Sequence, residues 1–225
     1  SRGDVCQDEE TLARLKDDTF GTDDLCRYLI LQTGGSMTVL AEEIDKLLPY
    51  RERGVVAIGE IGLDYHEGNE DRALQKEALR VQLELASEWD LPVNIHLRDA
   101  WGDLLSILED CAHLHLRGIL HCFTGSYEVY QRARRAGEFS VGIGGVVTFK
   151  NARKAVEVAA EVPLDRLVLE TDAPYLAPTP LRGTRNESAN IPLIAAKLAE
   201  IKGISIKEVA RITTENALQL FERIK

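Results

Sequence analysis

Glu60, His96, His121 and Asp172 are the residues of this 225-residue chain whose types and spacing point to chemistry. Each follows a short apolar run: Val-Val-Ala-Ile-Gly before Glu60, Val-Asn-Ile before His96, Gly-Ile-Leu before His121, Leu-Val-Leu-Glu-Thr before Asp172. Two imidazoles and two carboxylates suit zinc or manganese as a donor set, and magnesium less well. A lone His on an apolar strand is usually a hydrogen-bonded core residue. A lone acid after a strand is often a helix N-cap. Four such residues at or near the ends of four strands is a different observation. Parallel α/β folds gather the carboxyl ends of their strands on one side, and ligands bind there.

Other residues fall on the same side, and Asp64, Tyr65, Arg98, Arg182, Arg185, Asn186 and Glu187 among them are candidate substrate contacts. Asp64 and Tyr65 follow Glu60, and Arg98 and Asp99 follow His96. Arg182, Arg185, Asn186 and Glu187 occupy the loop after the last strand. Arginine makes bidentate contacts to phosphate. His66 is placed to line the mouth or to sit in an exposed loop. His113 and His115 form an HxH pair, but they precede the strand that carries His121 and so belong to its opposite end.

The elements that must position these residues alternate regularly. Apolar, strand-sized runs cover 54–59, 92–96, 118–123, 139–147 and 166–171. Between and after them, residues at three- and four-residue spacing predict helices over 70–90, 104–111, 126–136, 151–161, 190–202 and 205–221. Strands separated by helices of this length imply parallel βαβ units. Every strand reads as apolar nearly throughout, as expected when both faces are covered. An open sheet and a closed barrel satisfy this rhythm equally. Residues before 54 are less regular, with a short helix expected over 9–16, a strand over 26–31 and a helix over 39–48. Gly34-Gly35-Ser36 interrupts the chain just before Met37, its one methionine, and reads as a linker, a junction or a natural turn.

Composition narrows the class. With 44% hydrophobic and 28% charged residues the chain is globular. The net charge of −10 disfavours non-specific binding of nucleic acid, which needs clustered Lys and Arg. It leaves room for a nuclease whose substrate charge is met by a cation and a few local arginines. No apolar run nears the roughly 18–20 residues that cross a bilayer, and the polar, acidic N-terminus is not a signal peptide. Cys6, Cys26, Cys111 and Cys122 match no zinc or redox spacing. They read as reduced thiols of a cytoplasmic protein.

Several segments resemble the TatD family of metal-dependent deoxyribonucleases. They are Ile58-Gly59-Glu60-Ile61-Gly62-Leu63-Asp64-Tyr65, His96-Leu97-Arg98-Asp99-Ala100, Leu120-His121-Cys122-Phe123-Thr124-Gly125-Ser126 and Leu169-Glu170-Thr171-Asp172-Ala173-Pro174-Tyr175-Leu176. Arg185-Asn186-Glu187 and Thr213-Thr214-Glu215-Asn216-Ala217 match too, and the resemblance spans about residues 38–225. It implies an α/β fold, a TIM-type (βα)₈ barrel, and hydrolysis of phosphodiester bonds, typically 3′ to 5′ on DNA, with magnesium, manganese or zinc. By this resemblance Glu60 bridges two metals, His96 and His121 complete one, and Asp172 holds the other and helps activate water. Arg98, Arg182 and Arg185 then hold phosphates, while Tyr65 and Phe123 stack on a base.

One departure bears on activity. The family begins with a strand bearing an HxH pair, whereas the five histidines here are 66, 96, 113, 115 and 121. The family's Gly-x-His-Pro is missing as well. The 59 residues before Glu60 are too few for three full βα units plus a strand. The N-terminal third is therefore expected to be truncated, divergent or joined artificially, or to close the barrel in an unfamiliar way. Residues 1–37 have no family match, and 26–31 would stand in for the third strand. One tightly bound metal and a weak second are expected. The leading reading is a TatD-like nuclease acting on DNA or another nucleic acid. Its alternatives are an aminoacyl-tRNA ester hydrolase and a catalytically impaired metal- or nucleic-acid-binding protein.

Overall fold

The computed structural model describes residues 55–66 and 71–224. The readings made for 1–37, including the strand over 26–31, and for the helix over 39–48 lie outside the described residues. Within them, the expected alternation is present. The strands are β1 (Ile58–Asp64), β2 (Val93–Arg98), β3 (Arg117–Leu120), β4 (Glu138–Ile143) and β5 (Leu167–Leu169). The helices are α1 (Arg72–Glu88), α2 (Trp101–Asp110), α3 (Tyr127–Ala136), α4 (Arg153–Glu161), α5 (Ile191–Lys202) and α6 (Ile206–Leu220). Local chemistry sets several ends. Asp71 caps α1 by accepting from the amides of Ala73 and Leu74, Ser205 caps α6, and Gly203 ends α5 in the left-handed conformation.

The sheet resolves the choice that the rhythm left open. All four pairings are parallel and the strand order is β1-β2-β3-β4-β5, without the reversal that marks a doubly wound sheet. The sheet also curls. Flat strands about 4.8 Å apart would set β1 and β5 about 19 Å from each other. Yet Glu60 of β1 and Asp172, just past β5, both reach His121 at the end of the central strand. At the other end, Arg223 beyond α6 donates to the carbonyls of Val55 and Trp89, beside β1 and β2. Sequential order, helical crossovers and curvature together make this a TIM-type barrel fold. Among the described residues no helix is long and apolar enough to cross a membrane.

Register sorts the strand residues into two layers, and here the expectation of strands apolar throughout is corrected. Ile61, Leu63, Val93, Ile95, Leu97, Leu120, Phe139, Val141 and Leu167 are buried in the hydrophobic layer under the helices. On the opposite face, pairing aligns Gly62 with His96, Asp64 with Arg98, Asn94 with Ile119, Ile119 with Ser140, and Gly142 with Val168. That inner face is largely polar or small. β2 therefore alternates, apolar outward and polar inward, and β1 does so from Ile61 to Asp64, with Gly62 and Asp64 inward.

Several strand boundaries also differ, and the third strand ends at Leu120 rather than 123. The first strand begins at Ile58, not 54, and runs on to Asp64, so Glu60 lies within it rather than after it. The pairing slips between Gly59 and Ile61, a bulge that turns the extra residue, Glu60, toward the mouth. The fourth strand ends at Ile143, and Gly145–Thr148 form a 3₁₀ turn.

Candidate metal centre

Four residues expected from sequence meet at the carboxyl ends of the strands. His96 Nδ1 lies 2.8 Å from Glu60 Oε1. His121 Nε2 lies 3.6 Å from the same oxygen and 3.3 Å from Asp172 Oδ1. His121 takes this place because its amide bonds to the Ile95 carbonyl at the top of β2, next to His96. Asp172 is held with φ of 56°, a left-handed conformation that costs a non-glycine residue about 1–2 kcal/mol. Asp99 and Cys122, just beyond β2 and β3, share it. Such conformations persist where surrounding structure over-determines them, and they collect at functional sites.

Each imidazole also has a carboxylate behind it. His96 Nε2 lies 3.1 Å from Asp64 Oδ2. Asp64 is fixed in turn: its other oxygen accepts from the His66 amide, and its own amide and carbonyl pair with the Gln75 side chain. Asp64 thus braces an imidazole, where the sequence suggested a substrate contact. Behind His121, Nδ1 is hydrogen-bonded to Glu170 Oε2, while Glu170 Oε1 accepts from the Cys122 amide at 2.5 Å. Glu170 is the residue that sequence reasoning missed. Its signal was a single charge inside an apolar strand, two residues before Asp172 and so on the same face.

The electrostatics follow from this crowding. Burial works against charge on His121, but hydrogen bonds to Asp172 and Glu170 and the nearby charges of Glu170 and Glu60 prevail, raising its pKa to about 11. His96 is also raised, chiefly by its bond to Glu60, against burial. Burial and the same carboxylates push the Cys122 thiol up, so it stays protonated.

The donor set fits a cation. Ligand atoms 2.0–2.2 Å from a tetrahedral zinc are about 3.3–3.6 Å apart, the spacing of His121 Nε2 from Glu60 and Asp172. His96 is drawn closer, into a hydrogen bond with Glu60. Among the described residues no group of three or more His, Cys, Asp or Glu is arranged to hold a metal ion as it stands.

The remaining candidates divide. Arg98, Arg182, Arg185 and Glu187 are exposed, and the Arg182 guanidinium lies 3.7 Å over the Phe149 ring. Tyr65 is half-buried, its hydroxyl donating to Asp103 at 2.7 Å and one ring face covered by Arg72. Two assignments are corrected. Phe123 is 5% exposed and packs edge-on against Trp101, so it is core and offers no stacking face. Asn186 is 1% exposed. It donates to the Thr171 carbonyl and accepts from Asn190 and the Glu187 amide, so it ties the loop rather than meeting substrate. The exposed aromatic ring of that loop is Tyr175, at 62%. His66 pairs with Asp99 at the mouth. His113 and His115 sit before β3, at the opposite end.

Comparison with known proteins adds a family. The model of TatD related DNases matches residues 32–222. The chain is 49% identical over 167 residues to the uncharacterized metal-dependent hydrolase YabD of Bacillus subtilis (strain 168), covering 74% of this chain and 65% of that protein. It thus spans just under two thirds of that relative. Human deoxyribonuclease TATDN3 is 34% identical over 196 residues, covering 84% and 69%. Among solved structures, the TatD homolog YJJV of Escherichia coli K12 superimposes with a TM-score of 0.75 at 32% identity, covering 82% of this chain and 71% of that one.

Proposed function

This chain belongs to the TatD family, and from that premise we propose that it is a metal-dependent nuclease releasing nucleotides from the 3′ end of DNA. The observation that carries the reading is the convergence of Glu60, His96, His121 and Asp172 on one mouth. Glu60, His96 and His121 would hold the metal, with Asp172 beside them. A bound divalent cation supplies a water of lowered pKa and neutralises charge on phosphate. The chain's own groups do the rest. Asp172, beside His121 Nε2, takes the proton of the attacking water on its carboxylate. Arg98, at the end of β2, and Arg182 and Arg185, on the loop past β5, bind phosphate oxygens. Tyr175 offers its ring to a base. Aromatic stacking tolerates any base, which suits an enzyme that removes nucleotides without regard to sequence.

We propose one tight metal per chain. Glu60, His96 and His121 supply three ligands and leave a position for water. A second cation has only Asp172 and a share of Glu60, and two carboxylates without imidazoles hold it weakly. The test is hydrolysis of a single-stranded oligonucleotide labelled at its 3′ end, with magnesium, manganese or zinc and with charged tRNA in parallel. Stepwise loss of the 3′ label, abolished by Asp172→Asn, is expected. Release of amino acid from tRNA with intact DNA would replace this reading by an ester hydrolase. Bound metal with neither product would mark the protein as catalytically impaired.

A further inference from the structure

We propose that Glu170, seated in space left open by Gly142, is the positioning residue of the metal site, fixing His121 so that Nε2 faces the cation. This rests on the reading of His121 as a ligand.

Three observations converge. First, Glu170 bonds to two groups at once, His121 Nδ1 and the Cys122 amide, so its carboxylate has a single orientation and imposes one on the ring. A histidine nitrogen can bind metal only through a free lone pair, and the hydrogen bond at the other nitrogen decides which one is free. With Nδ1–H donating to Glu170, the ligand is Nε2. That is the nitrogen facing Glu60 and Asp172. Second, Cys122, whose amide is the other donor, sits at φ of 43°. Its N–H, just past the end of β3, bonds to the carboxylate instead of to a neighbouring strand's carbonyl. Third, a Cβ at Gly142 would overlap the Glu170 carboxyl group. Register places Gly142 opposite Val168, two residues before Glu170 on the inner face. β4 therefore supplies the hole, β5 the carboxylate and β3 the imidazole. Together with Cys122, the three strands set one ring.

The test is zinc affinity of the full chain, by competition with a chelating dye, in wild type, Glu170→Gln and Gly142→Ala. Glutamine keeps the shape but has one acceptor oxygen for two donors. The added methyl at Gly142 pushes the intact carboxylate away. Each variant should bind zinc about 10–100-fold more weakly, the usual loss when the partner behind a ligand is removed. The double variant should lose little more than either, because both changes break the same contact. Each variant should melt a few degrees lower, the cost of an unpaired buried group, but stay folded at the temperature of the zinc titration. ¹⁵N spectra of the histidine rings should show Nδ1 of His121 protonated in zinc-loaded wild type and this signal shifted in both variants. Zinc binding within threefold of wild type in both would overturn the role of Glu170. If wild type itself takes up no zinc, or Glu60→Gln binds it undiminished, the metal-site reading has failed and this role with it.

Discussion

The two imidazoles of the site are built alike and held differently. Each has Glu60 in front and a second carboxylate behind. His121, on the β3–β5 side, is 11% exposed, and Glu170 behind it is 16% exposed. His96, on the β1–β2 side, is 35% exposed, as is Asp64. On the first side, the carboxylate lies between strands and answers only to groups the fold fixes. On the second, Asp64 is shared with the amide of His66, an exposed residue at the mouth. A buried hydrogen bond is stronger than a wet one and costs more to break. The β3–β5 side thus presents an imidazole fixed in place, and the β1–β2 side one with room to adjust.

The largest effect should expose this asymmetry. His121→Ala is expected to lower metal affinity by more than the roughly 100-fold upper range for a supporting residue. His96→Ala should cost measurably less, because its ring has more freedom to lose on binding. Metal retained after dialysis, compared across the two variants, checks it. Equal losses would mean that burial does not distinguish the two halves.

Next comes Arg98, at the exposed end of β2. If the β1–β2 side is where substrate enters, Arg98→Ala should weaken binding of a DNA oligonucleotide by about 1.5–3 kcal/mol, the range for a hydrogen bond to a charged group. That is roughly 10–150-fold in Kd. Metal content should not change. A fall in bound metal would reassign Arg98 to the architecture of the site.

A third variant tests the β5 side without touching a ligand. Asn186 spans the loop after Asp172 through Thr171, Glu187 and Asn190. Asn186→Ala leaves buried partners unpaired and should cost about 1–3 kcal/mol. For a chain of this size each kcal/mol lowers Tm by about 2–4 °C. Activity should fall with the loosened loop. An unchanged Tm would show that Asp172 is held by its own backbone alone.

The legibility of the two sides differed as well. The alternation of strands and helices was plain from apolar spacing, and helix ends such as those of α3 and α5 fell within a residue or two of expectation. The convergence of the four candidate ligands was legible because strand ends collect on one side whatever the barrel's details. What sequence could not carry was register. Glu170 matters because pairing sets Gly142 and His121 beside it, and neither is its neighbour in the chain. Phe123 was misjudged for a related reason. One residue from Cys122 and two from His121, it turns away into the packing around Trp101, and a strand-to-helix turn does not announce that direction. Asn186 looked like a substrate contact because it sits between Arg185 and Glu187 in the loop after the last strand. Its burial became evident only once the loop's own carbonyl and amide were located.

The smallest expected effect lies at the edge of the β1–β2 side and tests whether that side is held by surface electrostatics. The Tyr65 hydroxyl donates to Asp103, which also pairs with Lys76 at 3.3 Å. These contacts, the tyrosine bond first, hold the Asp103 carboxyl below its ordinary value. Burial, then the same bond, pushes Tyr65 up to about 12. The signs follow by linkage. Asp103's contribution is present above its unfolded value and is lost as pH falls through the lower folded one. Tyr65's is present below about 10, its unfolded value, and is lost as pH rises through about 12. Because Asp103 is well exposed, screening limits the pair to a few tenths up to about 1 kcal/mol. Tyr65→Phe keeps the ring under Arg72 and removes only the hydroxyl. Urea melts should show wild type ahead of the variant by that margin at neutral pH. The gap should close as pH falls through the lowered folded value of Asp103. A gap that does not change with acidification would mean that the hydroxyl acts through packing, and that the β1–β2 edge owes its order to Arg72 and the ring rather than to Asp103.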